Sequence, residues 1–397
     1  MIIGIIGDAH LGASYSSGKE DHLTGTNSRL SDYKSTMKKT IDAMIEQGVS
    51  EIIFTGDIFE TRHPSLIQQK TFSEMLSYAL REGISIIRIV IGNHDQNRAN
   101  EAHTLSFLHE LDLPRVKVYD RLTHVELTDD SGVVANLILM PYRDGKWLGK
   151  GYQGSIEALQ SELDYTIDSI DNSAVKVVVG HFAFEGTVFA DDSDLYTENE
   201  LYLPVSMFKK IDFTVMGHVH TPGSVSLSPY ISYVGSMEKR GAFENHKKKF
   251  GILDLKNNFI EFQDSPCRDM FELKIDFSTE SLGETLMSRV KQKIDYFAKE
   301  NDIRGAIFKL IPQFVADDSV FFNVKEIENY ITSTYKVHFC PTIKPLWFSA
   351  RQARDSNITE TTSDAEAFSR FAKNTMIDYD FASEIEAAGL AIIKAEG

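Results

Sequence analysis

The chain has 397 residues, 42% hydrophobic and 25% charged, with a formal net charge of −17. That length accommodates roughly two to three domains and a substantial core. The charge argues against bulk electrostatic attraction to nucleic acid, and apolar runs such as ISIIRIVI (84–91) fall well short of the roughly 20 residues of a membrane helix. No basic leader or small-residue cleavage pattern follows Met1, so the expected location is the cytoplasm, with Cys267 and Cys340 as structural thiols.

In chain order, MIIGIIG, SEIIFTG and ISIIRIVIG read as strands separated by two amphipathic helices. The first helix carries Leu30, Tyr33, Met37 and Ile41, with Ser31-Asp32 at its head and Gly48 past its end. The second begins near Pro64-Ser65, carries Phe72, Met75, Leu76 and Ala79, and stops at Gly83. Right-handed crossovers make such strands parallel and put their carboxyl ends on one edge. VKVYD, THVEL and VANLILMPY follow as strands, then AVKVVVG and DFTVMG around a polar loop (185–200); YISYVG, KKFGILDL and NNFIEFQD are expected to close a second sheet. The expected fold is an α/β two-sheet sandwich flanked by helices (1–267), with a small α+β capping domain (268–348), a polar linker (349–362) and a helical tail (363–397). Ser363-x-x-Glu366 opens the tail as a capping box; Phe368, Phe371 and Phe381 suit folding back onto the cap or docking on a partner's helices.

Five apolar runs end in glycine followed at once by a potential metal ligand: Gly7-Asp8, Gly56-Asp57, Gly92-Asn93, Gly180-His181 and Gly217-His218. Two are extended, to His10 and to His220. A single such pair is an ordinary turn, but five of ligand type are hard to obtain from turn chemistry. Glycine there permits a sharp turn and close backbone approach. Two Asp, one Asn and four His form a mixed oxygen and nitrogen shell suited to Mn²⁺, Fe²⁺ or Zn²⁺. Seven ligands exceed one tetrahedral ion and fit two ions with a bridging carboxylate, the arrangement that clamps both oxygens of a phosphoryl transfer.

GDAH (7–10), GDIFE (56–60), GNHD (92–95), GHF (180–182) and GHVH (217–220) resemble, in order, the five motifs of the calcineurin-like metallophosphoesterases. GDAHLG, TGDIF with Pro64 soon after, and YVGSMEKRGAFE resemble the SbcD branch of DNA double-strand-break repair nucleases, which work with an SbcC-type coiled-coil ATPase. The resemblance implies one ion, most commonly Mn²⁺, on Asp8, His10, Asp57 and His220, and a second on Asp57, Asn93, His181 and His218. It also implies that His94 stabilises the phosphorus or protonates the leaving oxygen, with Asp95 orienting the His94 ring; a turn residue closing the backbone is the other reading of Asp95. Glu60 stands where the family commonly has a histidine that handles the scissile phosphate; His63 nearby could replace it or simply face solvent at a helix start. His22 and Arg29, in a polar loop, and the basic pair Lys239-Arg240 are candidate DNA or phosphate contacts, and each also suits a solvated surface.

The expected function is thus a Mn²⁺-dependent exonuclease and endonuclease subunit acting on DNA, docked through its tail on an ATPase and expected as a homodimer. A small-substrate phosphodiesterase or phosphoprotein phosphatase would need neither cap nor tail. A silent scaffold would have no use for His94.

Overall fold

The computed structural model describes residues 1–20, 25–97, 102–110, 113–129, 132–145, 151–170, 174–187, 200–241, 244, 246–348, 363–375 and 382–396. β1 (Ile2–Ile6), α1 (Ser28–Glu46), β2 (Glu51–Phe54), α2 (Leu66–Arg81) and β3 (Ile86–Val90) reproduce the expected alternation. Asn27, whose side chain accepts the Arg29 N–H, starts α1 about one turn before the expected head. α2 opens on a full capping box between Ser65 and Gln68.

β1, β2, β3 and β4 (Val116–Tyr119) pair in parallel. A second sheet is built from β5 (Thr123–Asp129), β6 (Gly132–Met140), β7 (Val175–His181), β8 (Phe213–Gly217), β9 (Gly223–Leu227) and β10 (Tyr230–Tyr233), in the order β9-β10-β8-β7-β6-β5. Its four inner strands are parallel. α3 (Gly151–Ser169), not foreseen in the sequence, connects β6 to β7 and buries Ile156, Leu159, Leu163 and Ile167 on one face.

β11 (Lys249–Asp254) and β12 (Phe259–Asp264) correct the expected topology. They do not join the second sheet; they extend the first, antiparallel to β1, in the order β12-β11-β1-β2-β3-β4. Alternation along a strand says which residues are buried, not which sheet receives them.

The layers follow from that alternation. Ile3, Ile5, Ile53 and Val90 of the first sheet share one core with Leu137, Leu139, Val177, Val179 and Val215 of the second. Their sequence neighbours point the other way. Ile52, Phe54, Ile87 and Ile89 meet Met37, Ile41, Phe72 and Met75 of the first two helices, and Ile138, Val178 and Met216 meet Leu159 and Leu163 of α3. Strands buried on both faces are near-continuous apolar runs, as these are.

Gly7, at the end of β1, is required by packing: a Cβ there would lie 1.8 Å from the Gly235 carbonyl oxygen. Because backbone must move to admit it, Gly7→Ala is expected to destabilise the protein by about 3 kcal/mol or more, measured as a lowered unfolding midpoint in urea; an unchanged midpoint would refute the packing argument.

By its contacts the chain divides into two compact units: Met1–Glu272 with Asp302–Lys309 and Thr332–Pro341, and Leu273–Asn301 with Leu310–Ile331 and Thr342–Gly397. The later elements are β13 (Met270–Phe277), α4 (Leu286–Glu300), β14 (Ile307–Val315), α5 (Val324–Tyr335) and β15 (Leu346–Phe348), whose strands form a sheet in the order β13-β14-β15. In the second unit the Asp318 carboxylate accepts the Ser281 hydroxyl and the Leu282 and Gly283 N–H groups. α6 (Asp364–Thr375) and α7 (Ala382–Glu396) pack together, the Phe368 ring seated where a side chain on Gly389 would stand. That contact uses Phe368 inside the helix pair. The 349–362 linker, the Phe371 side chain and Phe381 lie outside the described residues. Among the described residues no helix is long and apolar enough to cross a membrane, and Cys267 and Cys340 are not joined in a disulfide.

Candidate metal centre

The carboxyl ends of β1, β2, β3, β7 and β8 deliver Asp8, Asp57, Asn93, His181 and His218, the edge at which ligands bind in parallel α/β sheets. Asp8, His10, Asp57, His181, His218 and His220 are all buried, and Asn93 is half-buried. His10, Asp57 and His218 adopt positive φ, at 42°, 49° and 84°. Left-handed backbone at non-glycine residues carries strain and concentrates at functional sites. Gly217 serves by being small: its missing Cβ would lie 2.4 Å from Thr55 Oγ1 and 2.8 Å from Asp8 Oδ1.

The donors interlock across the two sheets. His218 N–H donates to Asp8 Oδ1 at 3.0 Å, and His94 N–H to Asp57 Oδ1 at 2.8 Å. His181 Nε2 lies 2.9 Å from Asn93 Oδ1 and 3.4 Å from Asp57 Oδ2, and His218 Nδ1 lies 3.0 Å from the same Asn93 oxygen. His10 Nε2 faces His220 Nε2 at 3.0 Å and Asp57 Oδ2 at 3.6 Å. Two ring nitrogens so close require a shared proton or a cation between them. Donor atoms of His10, Asp57 and His94 lie within 4.8 Å of one another, as do those of Asp8, Asp57 and His181. Asp57 belongs to both groups, the position a bridging carboxylate needs. Asp8 Oδ1 reaches the Nδ1 side of His181, at 3.4 Å, rather than the Nε2 that faces Asn93.

The ring nitrogens turned away from the cluster are also held. His181 Nδ1 lies 2.8 Å from the Thr55 carbonyl oxygen. His10 Nδ1 lies 3.0 Å from Glu60 Oε2, and His218 Nε2 lies 3.2 Å from Glu200 Oε1, whose other oxygen accepts the Tyr142 hydroxyl at 2.9 Å. Arg240 spans 3.0 Å to His220 Nδ1 and 3.0 Å to Glu60 Oε1.

Burial alone would raise the Asp57 carboxyl, but the His181, His94 and His10 rings override it and hold the group well below the usual carboxylate range. His181, lowered by burial, is lifted by Asp57 and Asp8 to about 9. Burial works against Glu60 as well, yet His10 and Arg240 bring it down to about 2. His220 is pushed well below its ordinary value by burial, His10 and Arg240. Asp8 moves the other way, raised by burial and by the nearby Asp57. The cluster thus holds a charged Asp57 carboxylate and a neutral His220 ring, and at neutral pH a cation entering it competes with a proton on His181.

The structure brings all seven expected ligands together with His94, and it corrects several neighbouring expectations. The place behind the His94 ring belongs not to Asp95 but to the Glu60 carbonyl oxygen, 2.6 Å from His94 Nδ1. Asp95 is turned inward, accepting the Ile58 and Gly92 N–H groups, and burial with nearby Asp57 raises it to about 7. Arg29 is not a loop cation facing DNA. It lies in the first turn of α1, fully buried, donating to Asp32 at 2.8 Å and to the Lys239 carbonyl at 2.7 Å. His63 is exposed, Lys239 is half-buried, and His22 lies outside the described residues. Glu200 and Tyr142 carry no sequence signal: Glu200 ends a loop bearing Asp191, Asp192, Asp194 and Glu198, and nothing local distinguishes one carboxylate from another.

Two mixed sheets whose parallel strands bring Asp, Asn and His donors to one edge form the arrangement expected of a metal-dependent phosphoesterase. The profile of the calcineurin-like phosphoesterases, a family that binds two divalent metal ions, matches residues 1–222, over half the chain, and the protein belongs to that family. It is similar to the D subunit of the nuclease SbcCD of Staphylococcus epidermidis, 26% identical over 321 residues that cover 75% of this chain and 82% of that protein. The protein of the same name from Staphylococcus saprophyticus is 22% identical over 281 residues, 69% of this chain and 72% of the relative. The DNA double-strand break repair protein Mre11 of Haloferax volcanii is 23% identical over 302 residues, 75% and 58% of the two chains.

Proposed function

We propose that the protein is the nuclease subunit of a cytoplasmic DNA-end-processing machine, a Mn²⁺-dependent exonuclease and endonuclease using two metal ions and working with an SbcC-type ATPase. The observation that carries this reading is the buried donor cluster centred on Asp57 with His94 at its side. The similarity to proteins named as SbcCD and Mre11 nucleases supplies the substrate class.

One ion would be held by Asp8, His10, Asp57 and His220, the other by Asp57, Asn93, His181 and His218. When bound, such ions supply Lewis-acid stabilisation of phosphate oxygens and lower the pKa of the attacking water. The chain's own groups do the rest. Glu60 fixes the His94 tautomer through its backbone carbonyl, so Nε2 is the nitrogen left to meet substrate. With Nδ1–H held by Glu60, only the imidazolium form of the ring carries a second proton on Nε2; that N–H stabilises charge on the phosphoryl group and its proton serves the leaving oxygen, which leaves the ring neutral. Arg240, partly exposed beside His220, adds a fixed positive charge near the phosphate; its arms are already engaged, so its role is electrostatic.

Residues 268–348 would cap the site over DNA, and 363–397 would dock on the ATPase. In the second region α6 and α7 already pair, leaving Ile385 and Ile392 exposed two turns apart on α7, an apolar stripe suited to a partner's helices. A homodimer is part of the proposal.

The test is cleavage of linear duplex DNA with Mn²⁺, with and without the ATPase, beside a simple aryl phosphodiester. DNA shortened from its ends only when Mn²⁺ is present is the expected outcome. Hydrolysis of the small ester with DNA left intact in every mixture would leave a phosphoesterase and remove the nuclease.

A further inference from the structure

We propose that Glu60 and Glu200 are positioning residues, one for each metal position, and that they set the affinities of those two positions separately. The inference rests on the two-metal reading above and goes beyond it by assigning residues that touch neither ion nor substrate.

A histidine binds a metal through a nitrogen that is deprotonated and correctly aimed. An acceptor on its other nitrogen fixes the tautomer, locks the ring and raises ligand basicity. His181 has a backbone carbonyl, Thr55, in that place, which no side-chain substitution at 55 removes. His10 and His218 have carboxylates instead. Glu60 Oε2 stands 3.0 Å behind His10 Nδ1, and Glu200 Oε1 stands 3.2 Å behind His218 Nε2, both at ion-pair distance and off the angle of a hydrogen bond. Each carboxylate is anchored by a different group: Glu60 by Arg240 at 3.0 Å and Glu200 by the Tyr142 hydroxyl at 2.9 Å. Glu60 follows β2 of the first sheet, whereas Tyr142 and His218 follow β6 and β8 of the second. The two supports share no residue.

The environments also differ. Glu200 is almost fully buried, while the Glu60 side chain keeps 26% of its surface exposed. A buried carboxylate without its partners is expensive, so Glu200 relies on the hydrogen bond from the Tyr142 hydroxyl and on the His218 ring at ion-pair distance. Glu60 also acts in a second, separable way, because its backbone carbonyl rather than its carboxylate holds His94. Truncating the side chain therefore removes the support of His10 and leaves that of His94 in place.

The experiment is calorimetric titration of the full-length, metal-free protein with MnCl₂, for wild type, Glu60→Ala, Glu60→Gln, Glu200→Ala and Glu200→Gln. Wild type is expected to take up two ions. Each alanine variant is expected to lose roughly 10- to 100-fold in affinity at one position and to keep the other unchanged. Glutamine, whose amide oxygen can take the ring N–H, is expected to restore most of that loss. On a His10→Ala background Glu60→Ala should have a much smaller effect, limited to what Arg240 passes to His220, while Glu200→Ala retains its own, because a support matters most while its ligand is present. Thermal unfolding of each metal-free variant separates lost affinity from lost fold; should Glu200→Ala not fold, Tyr142→Phe withdraws the anchor and is expected to weaken the same position. Wild-type titration by both alanine variants overturns the proposal. So does the loss of both ions together from either one. A wild type that binds no Mn²⁺ overturns the two-metal reading itself.

Discussion

Asp57→Asn is expected to lower hydrolysis of any phosphodiester by at least about a thousandfold, equivalent to roughly 4 kcal/mol of transition-state stabilisation, and to reduce bound metal from two ions. The substitution is chosen because it spares the backbone. Asp57 sits at φ 49°, a left-handed conformation that asparagine tolerates and alanine does not. The amide oxygen can still accept the His94 N–H that Asp57 Oδ1 receives at 2.8 Å. What disappears is one negative charge at the centre of the cluster, the charge that lies 3.4 Å from His181 Nε2 and 3.6 Å from His10 Nε2. Without it the surrounding histidines have no carboxylate common to both donor groups. Metal analysis and hydrolysis of an aryl phosphodiester check the result together; full activity with two ions retained would mean that Asp57 bridges nothing.

His94→Ala is expected to behave in the opposite way with respect to metal, keeping both ions while losing about 10²- to 10⁴-fold in rate, the range for removal of a positioned acid or base. His94 touches the cluster at its margin: its ring stands edge-on to His10 with centroids 4.9 Å apart, and its backbone N–H supports Asp57. Alanine keeps that N–H and removes only the ring. The loss should be larger for DNA, whose leaving oxygen needs a proton, than for an ester with an acidic phenol as leaving group. Parallel kinetics on the two substrates measure that difference; equal losses would assign His94 to phosphate binding rather than proton donation. A variant that loses metal as well would place His94 among the ligands.

Together the two substitutions separate holding metal from moving protons. Gly7→Ala, which affects packing beneath the site, should alter stability ahead of either.

The candidate donors and their places along the chain are legible in the residues alone. Each candidate donor is tied to a local rule: an apolar strand ends, glycine admits close approach, and parallel strands bring their carboxyl ends to one edge. Asp8, Asp57, Asn93, His181 and His218 all obey it, and His10 and His220 follow two residues on.

Tertiary structure alone decided what surrounds them. Whether β11 and β12 join the first or the second sheet depends on which edge they meet, and their alternating pattern is the same in either case. Arg29 reads as a loop cation until packing buries it against Asp32 and the Lys239 carbonyl, 210 positions away. The place beside His94 that the resemblance gives to Asp95 goes to the Glu60 carbonyl, and Asp95 instead closes the backbone turn, because only the folded chain brings that carbonyl to His94 and the Gly92 and Ile58 amides to Asp95. Glu200 becomes distinct among the loop carboxylates only when β6 and β8 place Tyr142 and His218 on either side of it. The candidate donors are specified by the strands that carry them; the groups standing behind their rings come from wherever the fold brings an oxygen within about 3 Å of a ring nitrogen, and no local pattern encodes that distance.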